Sequence, residues 1–379
     1  MAVARRNVLL RAEVLEDRAT PASFNTGAFP GAAAGAAGTT GLPGAAPLVV
    51  SGPRDGTAFL YASQVGGRYT TPAAVLRPFG AVAADVRAAT ADVNADGTPD
   101  TVLVTGPGTP LRVAVISGRD NATVLLAPFD PFGGDFAGGG FVAAADFDRD
   151  GRAEFVVTPD DGGGARVAIF SLLPAGITRR ADYLTLDPDF RGGLRVAAGN
   201  VNLDGTPDLV VTAGFGGGPR VTVLDGRRVF TTTGSVAADK LVNDFFVFDA
   251  GLRNGVYVAV GDVNGDGFGD LIFGAGPGGG PEVKVVSGQN LLILGAPAAV
   301  AAPLSDFFAG GSAADRSGVR VAAVDADGDA RADVAVGLAS PPRARVYLGK
   351  SFVNAGEPAA SQDLNPFGGP AAITNVFVG

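Results

Sequence analysis

Three residue types that carry much of protein chemistry are missing from this chain of 379 residues: cysteine, histidine and tryptophan. Without cysteine there is no disulfide, no thiolate nucleophile and no cysteine-ligated metal. Without histidine there is no imidazole-based triad, no usual zinc site and no imidazole general base. These absences exclude the commonest catalytic and zinc-binding chemistries.

Long apolar runs and an excess of positive charge are missing too. No run approaches the ~18 apolar residues that a membrane span requires. The 29 basic and 38 acidic residues give a net charge of −9, which disfavours nucleic acid and anionic membranes as partners. The abundant residues are glycine (58) and proline (26), beside 46% hydrophobic residues. This composition can bury a large core but does not favour long helices.

An acidic nine-residue pattern recurs five times, and the chain is organised around it. Oxygen-bearing side chains occupy its positions 1, 3, 5 and 9, and Gly occupies position 6 in four of the five copies. The copies are loop 1 (residues 92–100), loop 2 (146–154), loop 3 (200–208), loop 4 (262–270) and loop 5 (325–333). Calcium takes about 6–8 oxygen ligands, and carboxylates on alternate residues of a tight turn can converge on it. The pattern therefore predicts up to five calcium sites.

The predicted ligands are the side chains at positions 1, 3, 5 and 9 of each loop. Five divalent ions would move the net charge from −9 to about +1, so the acidity indicates an ion requirement rather than a solvated surface. Ligand charge predicts that loop 2 binds most tightly among the loops with an intact Gly, and that loop 3 binds most weakly. In loop 5, Ala330 replaces the position-6 Gly, where a positive φ would be costly. The twenty residues are Asp92, Asn94, Asp96, Asp100, Asp146, Asp148, Asp150, Glu154, Asn200, Asn202, Asp204, Asp208, Asp262, Asn264, Asp266, Asp270, Asp325, Asp327, Asp329 and Asp333.

Other interpretations of these segments fit their surroundings less well. An EF-hand needs a bidentate acid at position 12 and flanking helices, whereas position 12 is apolar in every copy and a β-rich run follows it. Residues 274–279 match the dinucleotide-binding fingerprint, but no helix follows to hold a pyrophosphate, so we predict a hairpin turn there. Metal-free Asp/Gly turns are the structural alternative, which we disfavour because unneutralised carboxylates this close would repel one another.

The repeat around each loop predicts the fold. A short apolar strand enters the loop and a second leaves it; a Gly/Pro turn, a third strand and a fourth run follow. Four short antiparallel strands per ~50 residues is the pattern of a β-propeller. Residues 48–80 lack a first strand, and residues 371–378 supply an unpaired one. We therefore predict an all-β, six-bladed β-propeller over residues 48–379, closed by the C-terminal strand joining the N-terminal blade.

Residues 1–47 are predicted to be a disordered or weakly helical leader followed by an Ala/Gly/Pro-rich linker. Arg5 and Arg6 hint at a twin-arginine export signal, but Arg11 and Glu13 interrupt the apolar stretch that should follow. Residues 15–22 resemble leaders on large secreted bacterial repeat proteins. We expect a protein that is secreted or lies on the cell surface, where calcium would saturate sites of ~10⁻⁴–10⁻³ M.

The repeats resemble a known family. Loop 4 with the Phe-Gly-Ala-Gly-Pro run at 273–277 resembles the FG-GAP repeat of integrin α-subunit propellers and of bacterial VCBS/FG-GAP repeat proteins. The resemblance covers residues 48–379. It implies that calcium binds the loops between two strands of a blade, and that the protein is a binding, adhesion or scaffold module.

Function beyond this resemblance stays open between classes. We expect a non-catalytic module whose partner is a protein or a glycan. The sequence does not determine the oligomeric state and is compatible with a monomer. The first alternative is a lectin that holds sugars between blades. The second is a polysaccharide-lyase-type enzyme with a Tyr, Lys or Arg base, although none of the five tyrosines forms an evident acid–base pair.

Overall fold

A computed structural model describes residues 45–64, 66–232, 236–310, 314–354, 356–367, 373 and 375–379. Most of the predicted leader and linker, up to residue 44, lies outside these residues, so that part of the domain prediction is untested. The strands form six antiparallel sheets of four strands each, which are the blades of a β-propeller. The predicted fold class and number of blades are confirmed.

The strands follow one another blade by blade along the chain. Blade 1 contains the first three strands and the last one, and each later blade contains four consecutive strands. The strands are β1 (Leu48–Ser51), β2 (Ala58–Tyr61), β3 (Ala74–Leu76), β4 (Val86–Ala91), β5 (Asp100–Thr105), β6 (Val113–Ile116), β7 (Val124–Phe129), β8 (Gly140–Ala145), β9 (Glu154–Pro159), β10 (Arg166–Leu173), β11 (Gly176–Leu184), β12 (Leu194–Gly199), β13 (Asp208–Ala213), β14 (Arg220–Leu224), β15 (Phe245–Phe246), β16 (Val256–Gly261), β17 (Asp270–Ala275), β18 (Glu282–Val286), β19 (Ser305–Phe308), β20 (Arg320–Val324), β21 (Asp333–Ala339), β22 (Pro342–Tyr347), β23 (Gln362–Leu364) and β24 (Phe377–Val378).

Blade 1 closes the ring by pairing the two ends of the propeller. Val50 pairs with Val378 and Ser51 with Phe377 in antiparallel register. Residues 371, 372 and 374 of the predicted closing segment lie outside the described residues, and the closing strand itself is Phe377–Val378. Because β24 and β1 are not consecutive in the chain, no loop joins them. This explains why a propeller of six blades carries five acidic loops.

The second strand of each blade is the centre of the packing. In β5, β9, β13 and β17 every residue is buried, because neighbouring blades cover both faces of the sheet. A strand covered on both faces is expected to be continuously apolar rather than alternating. The Leu, Ile and Val runs that follow the acidic loops therefore form the inter-blade core, and each loop is joined directly to the buried second strand of its blade.

The insertions at 225–247 and 287–304, which interrupt the repeat, contain short helices that the sequence analysis did not predict. The second insertion holds α1 (Gly288–Leu294) and α2 (Ala296–Ala301), and short 3₁₀ helices lie at Gly226–Arg228, Val236–Asp239 and Gly349–Ser351. Ser287 caps α1, because its side chain accepts the backbone N–H of Asn290. No helix in the described part of the chain is long and apolar enough to cross a membrane.

Candidate metal centre

Each acidic loop connects the first strand of a blade to the second. Position 1 directly follows the first strand, and position 9 is the first residue of the second strand in all five cases. These are strand–loop–strand sites, as predicted, and no helix flanks them as in an EF-hand. Residues 276–281 lie between β17 and β18, which confirms the hairpin turn predicted for the glycine-rich segment.

Backbone hydrogen bonds link the loops from blade to blade on one face of the propeller. The N–H at position 8 donates to the carbonyl at position 1 of the preceding loop, except where position 8 is proline. In blade 1, which has no loop, the Ala46 N–H takes this place and donates to the Asp325 carbonyl at 2.8 Å. The other links are Ala153 to Asp92 at 2.7 Å, Gly269 to Asn200 at 2.8 Å and Ala332 to Asp262 at 2.7 Å.

The loop backbone is held in shape by the side chain at position 1. In loop 4, the Asp262 carboxylate accepts the N–H groups of Gly265, Asp266 and Gly267 at 2.7, 3.0 and 2.8 Å. This turn places positions 4 and 6 in the left-handed region, with φ of 77° at Gly265 and 89° at Gly267. Ala330 adopts a φ of 67°, so the predicted strained conformation is present in loop 5.

The acid at position 9 is fully buried in every loop, with an exposed fraction of 0%. In loop 4, the Asp270 carboxylate accepts the Val263 N–H at 3.0 Å and the Gly288 N–H at 3.1 Å, which ties the loop to the end of the third strand. Loops 1, 3 and 5 repeat this pair of bonds. In loop 2 the Phe147 N–H makes the first bond to Glu154, and the Ser171 hydroxyl replaces the second donor. The position-9 acid therefore connects the loop to the third strand by hydrogen bonds, in addition to being a predicted ligand.

Burial also shifts the ionisation of these acids. Desolvation, with further contributions from neighbouring carboxylates, raises the pKa of Asp100 to about 6. The same causes raise the pKa of Glu154, Asp208, Asp270 and Asp333 to about 7. A carboxylate this far from its usual pKa lacks an adequate counter-charge, and a bound cation is one physical remedy.

Two of the five loops bring three carboxylates together. One oxygen from each of Asp146, Asp148 and Glu154 lies within 4.8 Å of the others, and the same holds for Asp325, Asp327 and Asp333. Calcium–oxygen distances are about 2.3–2.6 Å, so these spacings fit shared coordination of one ion. The oxygen-only donor set and the deep position-9 acid fit a hard divalent cation.

Loops 1, 3 and 4 are arranged differently, because position 3 is asparagine. Its amide nitrogen donates to the position-5 carboxylate, at 3.1 Å for Asn94, 2.9 Å for Asn202 and 2.8 Å for Asn264. Its amide oxygen accepts the position-5 N–H in the same loops. In this arrangement the amide bridges positions 3 and 5 instead of joining a cluster of three acids.

In four of the loops a Lys or Arg nitrogen lies within 4.0 Å of a loop carboxylate, a pairing that the sequence analysis did not predict. Arg119 lies 3.6 Å from Asp96, Arg227 lies 3.1 Å from Asp204, and the Lys350 ammonium contacts Asp327. These three residues each follow the glycine after the third strand, and loop 4 has Gln289 at that place. In loop 2 the cation comes from the fourth strand, where Arg180 lies 2.9 Å from Asp148. Among the described residues, no Lys or Arg nitrogen lies within 4.0 Å of a loop 4 carboxylate.

The fold and these loops together define a six-bladed β-propeller with acidic strand-connecting loops. Residues 92–157, which contain loops 1 and 2, match the model of the FG-GAP-like repeat. The chain therefore carries an FG-GAP-like repeat, which confirms the predicted resemblance for this segment. No curated protein matches the sequence.

Solved structures with a similar arrangement of strands are distant in sequence. A structure described as the basis of specific recognition of non-reducing terminal N-acetylglucosamine by an Agrocybe aegerita lectin matches at 15% identity and a TM-score of 0.45, covering 86% of this chain and 78% of the lectin chain. The Dos1 propeller matches at 10% identity and 0.43, covering 86% and 69%. Rhamnogalacturonan lyase YesW matches at 15% identity and 0.36, covering 78% and 64%. At these identities and TM-scores, no activity transfers to this chain.

Proposed function

We propose that the protein is a calcium-stabilised, non-catalytic propeller that acts as a binding, adhesion or scaffold module. The observation that carries the proposal is the buried acid at position 9 of all five loops, joined in loops 2 and 5 by two further carboxylates within 4.8 Å. Burying like charges this closely without a cation is unfavourable. One divalent ion at each loop would neutralise two of these negative charges at once.

The ligands would be the side-chain oxygens at positions 1, 3, 5 and 9. A bound calcium would supply positive charge to the buried acid and fix the loop between the first and second strands of a blade. The side chain at position 1 stabilises the turn by accepting backbone N–H groups, and the side chain at position 9 connects the loop to the third strand. Because backbone bonds connect the loops between blades, order at one loop supports its neighbours.

The ionisation of the tyrosines supports a non-catalytic role. Burial raises the pKa of Tyr61 to about 12 and that of Tyr69, Tyr183 and Tyr347 further still. A phenol with so high a pKa holds its proton at neutral pH and is a poor general base. With the absence of histidine, these shifts disfavour four of the five tyrosines as the base of a polysaccharide-lyase-type enzyme, which leaves Tyr257 and the Lys and Arg side chains as candidates. The partner we expect is a protein or a glycan, met outside the cell where calcium is plentiful.

The test is a thermal melt of the full chain in calcium, in magnesium and in excess chelator. We expect the melting temperature to rise steeply with calcium and little with magnesium, because magnesium demands near-ideal octahedral geometry and gives up its water reluctantly. A melt that is indifferent to all three conditions would contradict calcium stabilisation. Turnover of any acidic polysaccharide would contradict the non-catalytic role.

A further inference from the structure

The axis of the propeller holds a layer of side chains that the acidic loops do not explain. Near the start of the first strand in each blade lies a large residue, and around the ring these residues alternate between arginine and an aromatic. In ring order the arginine–aromatic layer consists of Arg87 on β4, Phe141 on β8, Arg195 on β12, Tyr257 on β16, Arg320 on β20 and Phe377 on β24.

Each arginine of this layer packs on the aromatic rings of both neighbouring strands. The six guanidinium-carbon to ring-centroid distances run from 4.4 to 5.3 Å, the range of cation–π contacts. The ring centroid of Phe141 also lies 6.0 Å from that of Tyr257 and 6.4 Å from that of Phe377, although their strands are not neighbours. The aromatic rings therefore meet across the axis, and the layer closes the central channel at this level.

Beyond the layer the channel opens into a cavity of about 400 Å³, which we call the shaft. Its walls are mostly small and apolar, with Ala89, Ala144, Ala198 and Ala323 on four of the six inner strands. Asp325 of loop 5 lines the other end, so the shaft leads from the layer to the face that carries the acidic loops. Its length is about 13 Å, four residues of strand at about 3.3 Å each. Pockets of this size and character commonly hold small molecules.

Charge is unbalanced at the closed end of the shaft. Arg87 has two carboxylate neighbours, Asp85 at 3.3 Å and Asp160 at 3.1 Å. Arg195 reaches only the already shared Asp160, at 3.7 Å. Among the described residues, Arg320 has no carboxylate within 4.0 Å. Three guanidinium groups thus share two carboxylates, which leaves one positive charge in excess.

Several nitrogen atoms of these arginines are buried and have no hydrogen-bond partner among the described residues. The residues are only 3–6% exposed. Arg320 donates to the Ser317 carbonyl at 3.0 Å and to the Asn375 side chain, but its Nε has no hydrogen-bond partner. The Nε and Nη1 of Arg195 have none either, whereas the Nε of Arg87 faces the Asp85 carboxylate at 3.3 Å. Buried donors and an uncompensated buried charge are both unfavourable, and an anion beside the layer would compensate the charge.

We propose that the shaft binds a small monocarboxylate with an unbranched apolar body. The single excess charge matches a monoanion rather than a phosphate dianion, and the planar guanidinium matches a carboxylate. The carboxylate contacts the layer beside Arg320, and the apolar body lies along the alanine walls, where it is removed from water. This site is separate from the loops and does not depend on the proposed calcium role.

The test uses the full chain in calcium and isothermal titration with sodium octanoate, octan-1-ol, sodium acetate and sodium sulfate. We expect saturable 1:1 binding of octanoate, and binding at least about tenfold weaker for octanol, which lacks the charge, and for acetate and sulfate, which lack the body. Arg320→Met should weaken octanoate binding by at least about tenfold. Arg166→Met is the matched control, because Arg166 pairs with Asp182 on the fourth strand, away from the shaft.

A second variant keeps the proposal testable if Arg320→Met does not fold. Ala144→Leu leaves the layer untouched but fills the shaft, so it should abolish octanoate binding. Absence of saturable octanoate binding to the unaltered chain would overturn the proposal. Equal binding of octanol would show an apolar pocket without carboxylate recognition, and equal binding of acetate or sulfate would show an ion site without a shaft; either result overturns it too.

Discussion

Loop 4 and loop 5 occupy equivalent places in neighbouring blades. They differ in the backbone at their left-handed positions and in the positive charge near their carboxylates. Loop 4 has glycine at both left-handed positions. Among the described residues no Lys or Arg nitrogen lies within 4.0 Å of its carboxylates, and Gln289 occupies the place that a cation takes in loops 1, 3 and 5. Loop 5 has alanine at its second left-handed position, and the Lys350 ammonium contacts Asp327 and lies 4.0 Å from Asp329.

The difference indicates that a basic side chain and a metal ion can each neutralise the negative charge of the loop carboxylates. A lysine or arginine beside the carboxylates neutralises part of their charge and must give way when an ion binds. We therefore expect loop 4 to depend most on calcium. The ligand-charge ranking that favours loop 2 takes no account of Arg180, which already pairs with Asp148 there.

The largest predicted effect on thermal stability comes from the buried acid at position 9, which the two loops share. Burial first, and neighbouring carboxylates in addition, raise the pKa of Asp270 and Asp333 to about 7. The folded state then binds the proton more tightly than the unfolded chain, so stability falls as pH rises from about 4 to about 7. In chelator, we expect the melting temperature to be about 5 °C or more higher at about pH 5.5 than at about pH 8.

Calcium and two matched variants check the origin of this pH dependence. A bound ion displaces the proton, so saturating calcium should flatten or reverse the trend. Asp270→Asn and Asp333→Asn should each remove a similar part of it, because the two acids are equally buried. A melting temperature in chelator that rises over this window would contradict the assignment.

The next effect should separate the two loops through their cations. Gln289→Lys should place an ammonium beside loop 4, and Lys350→Gln should remove the one beside loop 5. We expect the first change to raise the calcium concentration for half-maximal thermal stabilisation by about tenfold, equivalent to ~1.4 kcal/mol. The second should tighten calcium binding, measured by titration calorimetry.

Lys284→Gln is the control for this exchange, because Lys284 pairs with Glu282 and Asp306 at the outer edge of blade 5, away from the loops. It should leave the calcium response unchanged. If Gln289→Lys also leaves it unchanged, loop 4 is not the loop on which calcium stabilisation depends.

The smallest effect should come from the backbone at position 6. Ala330→Gly should relieve a left-handed alanine and stabilise the protein by about 0.5–1 kcal/mol, whereas Gly267→Ala should destabilise it by about 1 kcal/mol or more. A Cβ at Gly267 would lie 3.1 Å from the end of the flexible Leu203 side chain, so backbone strain and not a clash decides the sign. Urea unfolding measures both changes.

Ala95→Gly offers a parallel case at position 4 of loop 1, where φ is 58°. It should stabilise the protein in the same direction as Ala330→Gly. A loss of stability in both variants would show that the entropy of the more flexible unfolded chain outweighs the relieved strain.

Much of the fold could be predicted from the chain because its signals are local and repeated. The acidic positions of loop 4 and the apolar run of β17 lie within 14 residues of the chain, and the same pattern recurs in five copies. The helix α1 was missed although Ser287 before Leu291 is a helix-start signal, because it interrupts a repeat whose other copies have no helix at that place. The partner of Lys350 could not be predicted, because the lysine and Asp327 are 23 residues apart and meet only when blade 6 folds.

By itself, the sequence determined the repeat, the oxygen-rich loops and the count of six blades, since period and side-chain alternation follow from local chemistry. Only the tertiary structure decided which charges compensate one another. Arg320 and Phe377 belong to different blades, and the alternation of arginine with aromatic residues exists only around a closed ring. Charge balance depends on distances through a low-dielectric interior, and the order of residues along the chain does not contain those distances.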